Sequence, residues 1–445
     1  MNRLKKSIFN VEVEKFADGR KLMYNTYYST FGIMDAKTQE IYEAIESFDN
    51  SVVADEETTK TVGIMLREGY ITDADVDELA AVKLDRSRFR YQNQTLGITI
   101  APTMDCNMAC PYCFEKKNKT IMSEETQDQL VAFVKAHLEF YPTVKQFYVT
   151  WYGGEPLMQK EVIYRLSKKL IELCDEKQVE YLAGMITNGA LLYKETGIRL
   201  AEDCRIQQVS ISIDGTKEVH NKRRILINGD DSFDIIMKNI DDCKDILRIN
   251  VRNNVDKENA ADAEKFSDYL IHDKGWTGNP WFYLAFVDDF DETCLTDKSI
   301  CVHVDQIAEM TDKFKRTVYA SNRDVVAAEF FPKRKSLFCG GEGTLSYVVD
   351  PEGHIYNCYV QIGVKEHRTG HISKPFAVTT EYAKWLSTDI PEQCEKCAYL
   401  PQCMCGCTLY RLNEGDTPQC FSSFYTYKNT LKLAYEDYIT QKAQT

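Results

Sequence analysis

The sequence predicts an α/β protein: a partial (β/α)6 barrel between an N-terminal winged-helix-like module and a C-terminal cysteine-rich extension. Three observations carry that prediction. Strand-like and amphipathic helix-like segments alternate from about 95 to 325, the rhythm of a parallel sheet with right-handed crossovers. The first 90 residues lack that rhythm. Eight of the 16 cysteines lie beyond residue 338.

In residues 1–90, "SIFNVEVEKF" and "KLMYNTYYST" read as two strands joined by "ADGR", with Asp18-Gly19 as a hairpin turn pair. "DAKTQEIYEAIESF" follows with apolar residues at helical spacing behind Asp35 as N-cap, and "TVGIMLREGYI" gives a second helix ending at Gly69. "VKLDRSRFRYQ" reads as a charged linker to the next unit.

From about 95 to 325 the strand candidates are "LGITIAPT", "QFYVTWYGG", "GMITNG", "QVSISIDG", "LRINVRNNV" and "WFYLAFVDD". Helical segments such as "EETQDQLVAFVKAHLEF" and "KEVIYRLSKKLIELCDEK" separate them. Six strands suit a partial barrel better than a closed eight-stranded one. In such sheets chemistry collects at the C-terminal strand ends. The polar and glycine-rich pieces "TMDC", "YGGEP", "TNG" and "SIDG" fall there. Residues 330–445 are turn-rich and close with a helix, "YKNTLKLAYEDYITQ".

Composition narrows the function. The chain has 445 residues and a formal net charge of −14, which argues against nucleic acid or an anionic membrane as partner. No apolar run is long enough for a signal peptide or a membrane span, so a cytoplasmic location is expected. Sixteen cysteines in such a chain point to metal or redox chemistry rather than disulfides. That alone does not separate zinc from iron.

After the first barrel strand, "MDCNMACPYCFE" sets Cys106, Cys110 and Cys113 in a C-x3-C-x2-C spacing. A given pattern of this kind arises by chance about 0.02 times in a chain this long. A structural zinc site is closed by four ligands, whereas three leave one position open to a substrate or cofactor. An iron–sulfur cube on three thiolates likewise leaves one iron open.

With Phe114 and Glu115, these cysteines resemble the signature of radical S-adenosylmethionine (SAM) enzymes. The resemblance extends to Gly153-Gly154-Glu155-Pro156, Thr187-Asn188-Gly189 and Ser212-Ile213-Asp214-Gly215 on successive strand ends, and to an "HxxxR" element, His220 and Arg224. It implies that Cys106, Cys110 and Cys113 bind a catalytic [4Fe–4S] cluster that chelates SAM and reductively cleaves it to a 5′-deoxyadenosyl radical. It also implies that Gly153, Gly154 and Glu155 meet the SAM amino group, and that Asn188, Ser212 and Arg224 meet its ribose and carboxylate. Tyr112, Phe114 and Asp214 are further cofactor-binding candidates. A plain ion pair remains the alternative for Glu155 and Arg224.

The last third resembles the SPASM extension of radical SAM enzymes that modify peptides. By that resemblance Cys394, Cys397, Cys403 and Cys420 hold one auxiliary [4Fe–4S] cluster, and Cys339, Cys358 and Cys407 hold a second, inner one. Three clusters are therefore expected, with a zinc ribbon as the alternative for the C-terminal set. "FFPKRKSLF", before Cys339, has no thiol to complete the inner set. Its fourth ligand is either a substrate thiolate or Cys405, which stands where the family usually has glycine. The remaining cysteines, at 174, 204, 243, 294 and 301, show no paired spacing and receive no role.

Sulfatase-maturating relatives usually carry a catalytic aspartate directly after the cysteine equivalent to Cys358. This chain has Tyr359 there, the candidate catalytic residue at that position. The extra N-terminal module resembles the leader-recognition domains of ribosomal-peptide maturases, with a structural cap as the alternative. A DNA-binding wing is disfavoured because its helices are acidic or mixed. The expected activity is a peptide maturase that installs thioether crosslinks in a cysteine-containing precursor, with flavodoxin or ferredoxin as electron donor. Formylglycine formation, carbon–carbon crosslinking and epimerisation are the alternatives.

Overall fold

The structure, a computed structural model, describes residues 3–45, 55–287, 298–321, 332–418, 420 and 422–444. Cys294, and the expected boundary near 325–330, lie outside these residues.

At the N-terminus, β1 (Leu4–Lys6) pairs antiparallel with β5 (Ile71–Asp73), and β2 (Asn10–Lys15), β3 (Lys21–Asn25) and β4 (Thr30–Met34) form a separate antiparallel sheet. The β2–β3 turn is the expected one: Gly19 takes φ +84° and Arg20 N–H donates to Asp18 Oδ1 at 3.1 Å. The reading of "KLMYNTYYST" as one strand is corrected. It covers β3, a turn through Ser29 at φ 56°, and only the first residue of β4. Helices α1 (Ala36–Ala44), α2 (Glu56–Arg67) and α3 (Glu78–Arg90) complete the unit, each with an aspartate N-cap: Asp35, Asp55 and Asp77.

Helix α3 overturns the linker reading. "KLDRSRFR" is helical, and Arg86 and Arg90 lie on its inner face, each 5% exposed. They are buried because an acid waits for them. Arg86 Nη2 meets Glu342 Oε2 at 3.0 Å, and Arg90 donates to Thr388 O and Thr388 Oγ1 at 2.7 and 2.8 Å. Phe9 and Val82 pack on Ile390, Leu400 and Met404, so this unit docks on the cysteine-rich stretch.

All six expected barrel strands form: β6 (Thr95–Ile100), β7 (Gln146–Trp151), β8 (Glu180–Thr187), β9 (Ile206–Ser212), β10 (Arg248–Val255) and β11 (Trp281–Phe286). They are parallel and lie in sequence order, with α4 (Glu124–Phe140), α5 (Lys160–Lys177), α6 (Lys194–Glu202) and α8 (Phe233–Cys243) in the crossovers. Two short helices, α7 (Lys217–Arg223) and α9 (Ala263–Asp268), and the longer α10 (Val304–Ser321) complete this part. One hydrophobic core runs through it, with Leu96, Ile98, Phe147, Val149, Ile211 and Val251 almost wholly buried.

A seventh parallel strand comes from outside the alternating stretch. β12 (Ser346–Val349) pairs with β6, and β13 (His354–Tyr356) and β14 (Gly370–His371) extend the sheet antiparallel. The cysteine-rich region is thus part of the barrel sheet. The closing helix, Ser422–Gln444, lies on β2 and α10. Among the described residues no helix is long and apolar enough to cross a membrane.

Candidate active site

A cavity of about 360 Å³ opens at the C-terminal ends of the barrel strands. The loop after β6 supplies Cys106, Cys110, Tyr112, Cys113 and Phe114; β7 ends in Tyr152-Gly153-Gly154; β8 and β9 end in Asn188 and Ser212. Arg224 follows α7, β10 contributes Arg252 and Asn254, and Tyr359 closes the cavity from the C-terminal stretch. Parallel strands bring these distant positions to one rim.

The two glycines are required by close approach. A Cβ on Gly154 would lie 2.3 Å from the Asp105 carbonyl oxygen, and one on Gly153 would lie 2.3 Å from that of Thr103. Gly153 also has φ +109°. The end of β7 therefore presses directly on the backbone of the cysteine loop.

Glu155 lines no part of the cavity. It is fully buried, and its carboxylate accepts from Leu157 N at 2.9 Å, Thr187 Oγ1 at 2.7 Å and Asn188 N at 2.7 Å. It ties the end of β7 to the end of β8. Burial raises its pKa, and these hydrogen bonds act against that shift. Asn188 reaches the cavity and donates to Asn107 Oδ1 at 2.7 Å, on the cysteine loop.

Asp214 is buried beneath the rim and accepts from the Tyr112 hydroxyl. Arg224 Nη1 donates to that hydroxyl at 2.8 Å. Arg223, which the sequence analysis passed over, is the keystone of the network. It contacts Asp214 at 3.3 Å and Asp256 at 2.6 Å, and its guanidinium lies over the Tyr112 ring at 4.7 Å. Tyr112 is thereby locked between two of the loop cysteines.

His220 also serves this scaffold. Its Nδ1 accepts from Asp214 N at 3.2 Å, so Nε2 carries the proton toward Ser232 Oγ at 3.0 Å, and Ser232 Oγ donates to Arg224 O at 2.6 Å. Burial drives its pKa well below the usual value. The folded chain refuses a proton that the unfolded chain takes up below about pH 6.5. Its stabilising contribution is present above that pH and is lost as pH falls. Urea melts from pH 7.5 to 5.5 should show a loss approaching about 1.4 kcal/mol per pH unit from this group. His220→Gln should flatten that part of the slope.

The C-terminal cysteines form two neighbourhoods. Cys397 and Cys403 lie close enough to Cys394 and Cys420 to feel their charge, and Cys339 close enough to feel that of Cys407. Cys358 and Cys407 pack around Val360 and Leu409. Met404, Cys405 and Gly406 take φ of 48°, 69° and 76°, a left-handed run between Cys403 and Cys407. It sends Cys405 inward against Cys394, within the Leu400–Met404 cluster. Cys405 therefore packs against Cys394 of the outer set.

The residues fit the cofactors that the sequence implies. Three thiols share one loop, and Arg224 Nε is a buried donor without a hydrogen bond, at the wall where a SAM carboxylate is expected. Sequence reasoning missed Arg252, Asn254 and Tyr283. The alternation of "LRINVRNNV" signals the first two, because positions 250, 252 and 254 share the face turned away from the apolar core.

Residues 100–270 match the radical SAM superfamily. A cysteine-type anaerobic sulfatase-maturating enzyme of Clostridium novyi (strain NT) is 24% identical over 374 residues, covering 77% of this chain and 97% of that protein. A serine-type counterpart from Bacteroides thetaiotaomicron is 34% identical over 149 residues, 30% of this chain and 33% of the other. Among solved structures, anSMEcpe with bound AdoMet and Cp18Cys peptide superposes with a TM-score of 0.61 at 22% identity, over 79% of this chain and 99% of that one. Streptococcus suis SuiB bound to precursor peptide SuiA gives 0.52 at 14% identity, over 95% and 99%. Both likenesses are of fold.

Proposed function

We propose, from the premise that this chain is a radical SAM enzyme related to the anaerobic sulfatase maturases, that it is a peptide maturase joining cysteine sulfur to carbon in a precursor peptide. SAM and a [4Fe–4S] cluster are its cofactors; when bound, they supply an electron source and a hydrogen-abstracting radical. Cys106, Cys110 and Cys113 hold the cluster, and Arg224, braced by Tyr112, takes the SAM carboxylate. Gly153 and Gly154 let the SAM amino group approach the backbone. Glu155 and Asp214 act as positioning residues, since both are spent on fixing the strand ends.

Two auxiliary clusters belong to this reading, one on Cys394, Cys397, Cys403 and Cys420, the other on Cys339, Cys358 and Cys407. With Cys405 turned toward Cys394, the inner set keeps a position for the substrate thiolate. The observation that carries the maturase reading is the N-terminal unit. Residues 1–90 add a three-stranded sheet whose β4 has a neighbour on one side only among the described residues. Such an edge accepts an extended leader peptide as a further strand. The SuiB fold likeness, which extends over this unit, supports it. Flavodoxin or ferredoxin would supply electrons in the cytoplasm.

Reduced, reconstituted enzyme with SAM and a cysteine-rich precursor should give a peptide lighter by two hydrogens per crosslink, with the joined cysteines closed to alkylation. SAM consumption with every cysteine still alkylated would sink the thioether assignment. Formylglycine formation is the second reading, favoured by relatives matched along almost their whole length. Tyr359 in place of the usual aspartate speaks against it. A hydrazide-reactive aldehyde on a sulfatase-derived peptide would establish it.

A further inference from the structure

The cysteine loop also has a solvent face that the cavity does not use. Two segments hold its chain in place. Residues 225–227 run antiparallel to 107–109: Ala109 N donates to Ile225 O and Ile227 N to Asn107 O, both at 2.9 Å. Residues 117–121 hold it as well. Asn118 N donates to Met104 O at 3.3 Å, Met104 N to Thr120 O at 3.4 Å, and Lys117 Nζ to Met108 O at 2.5 Å. Between these flanks Ala109 and Pro111, the two neighbours of Cys110, are exposed. The loop that carries the three thiols therefore reaches the surface.

The side chains around that opening are apolar and basic. Ile121, Ile225 and Ile227 are 50%, 38% and 66% exposed, so both flanks carry an apolar side chain in solvent. From 107 to 121 the exposed charged residues are Lys116, Lys117 and Lys119, and the one acid of that stretch, Glu115, is buried. Lys222 adds an exposed cation to the other flank, where the exposed acids Glu218 and Asp230 stand four residues before it and three after Ile227. Lys116, Lys119 and Lys222 form no ion pair among the described residues. The outer cysteine set has the opposite surroundings. Asp389, Glu392, Glu414 and Asp416 are exposed there, and Lys396 is the single exposed cation among the described residues from 389 to 420. In a chain of net charge −14, a lysine-bearing apolar face over a thiol loop best fits an acidic protein with an apolar contact edge.

We propose that this face is the docking surface for a small acidic one-electron carrier, which delivers its electron at Cys106, Cys110 and Cys113 and not through the C-terminal cysteines. The proposal rests on the assignment of a cluster to the three loop cysteines. The carrier is oxidised by one electron and that cluster is reduced by one; no bond forms or breaks, and no proton moves. The lysines steer the acidic partner and the isoleucines meet its apolar edge, so the contact is small, salt-sensitive and short-lived.

The test uses reconstituted full-length enzyme and an acidic bacterial flavodoxin, with isothermal titration calorimetry at about 50 and about 300 mM NaCl. The higher salt should weaken binding at least about tenfold, and the double variant Lys116→Glu, Lys119→Glu should do the same at the lower salt. Lys396→Glu, beside the outer set, should leave binding unchanged. Photoreduced flavodoxin should reduce the loop cluster more slowly in the double variant, while dithionite, which needs no docking, reduces it as before. The SAM-perturbed EPR signal reads both. Unaltered affinity in the double variant would overturn the proposal, as would a loss confined to Lys396→Glu. So would unaltered enzyme that binds no flavodoxin at low salt. If the double variant instead lost a dye-labelled cysteine-rich peptide and kept flavodoxin, the face would serve substrate and the proposal would fail. Flavodoxin bound at this face of an enzyme with no dithionite-reducible cluster on the loop cysteines would sink the cluster assignment and leave the docking surface standing.

Discussion

Replacing Glu342 with alanine should lower stability by about 3–5 kcal/mol, the cost of removing one partner from a buried ion pair. Glu342 is 2% exposed, and its Oε2 lies 3.0 Å from Arg86 and 3.6 Å from Arg90. Its Oε1 accepts from Thr408 Oγ1 at 2.7 Å. Without the carboxylate, the two buried guanidinium groups keep only backbone and hydroxyl hydrogen bonds and a longer contact, 3.8 Å, from Arg86 to the exposed Asp389. Chemical unfolding followed by far-UV circular dichroism measures the loss, and a change below about 1 kcal/mol would contradict the buried-pair account. Glu342 follows Cys339 by three residues and Thr408 adjoins Cys407. On the proposed assignment of a cluster to the inner cysteine set, the variant should also retain less iron there.

The second large effect is expected at Gly154. Alanine there would place Cβ 2.3 Å from the Asp105 carbonyl oxygen and 2.7 Å from that of Met104. Both atoms are backbone, so relief requires moving the loop that carries Cys106. Overpacking of this kind costs about 1–3 kcal/mol. Displacing the loop should also weaken SAM binding at least about tenfold, measured by equilibrium dialysis on reconstituted enzyme. Gly63→Ala is the contrast. Its Cβ meets nothing within 4 Å, and it lies inside α2, so a gain of about 0.5–1 kcal/mol is expected. Unchanged SAM affinity in Gly154→Ala would mean that the cysteine loop yields freely.

The barrel was legible because its signals are local. Each strand is a short apolar run before a polar or glycine turn, and the amphipathic helices α4, α5 and α8 carry a 3.6-residue period. The cysteine loop and the rim were legible for the same reason, since their spacing is written within a few residues. What escaped was decided by distant partners. Arg86 and Arg90 make α3 look like a solvated linker until Glu342 and Thr388, about 250–300 residues onward, explain their burial. β12 has the pattern of any short strand, and only its pairing with β6 makes it part of the barrel. Glu155 and Asp214 were readable as strand-end acids, and their partners were not. The direction of each side chain depends on which neighbouring donors need an acceptor, the Leu157 and Asn188 backbone for Glu155 and the Tyr112, Arg223 and Asn254 side chains for Asp214.

The pairing of β12 with β6 changes where the barrel ends. Ser346–Val349 match Gly97–Ile100 in register, so the last third of the chain supplies the strand that covers the first one. A fragment stopped after β11 would keep all six alternating strands and lose this cover. Its β6 would become an apolar edge with open hydrogen-bonding groups, the kind of surface on which chains stack into aggregates. For expression work, residues 95–325 are therefore not a separable unit, and the cysteine-rich region serves the barrel as a solubility element.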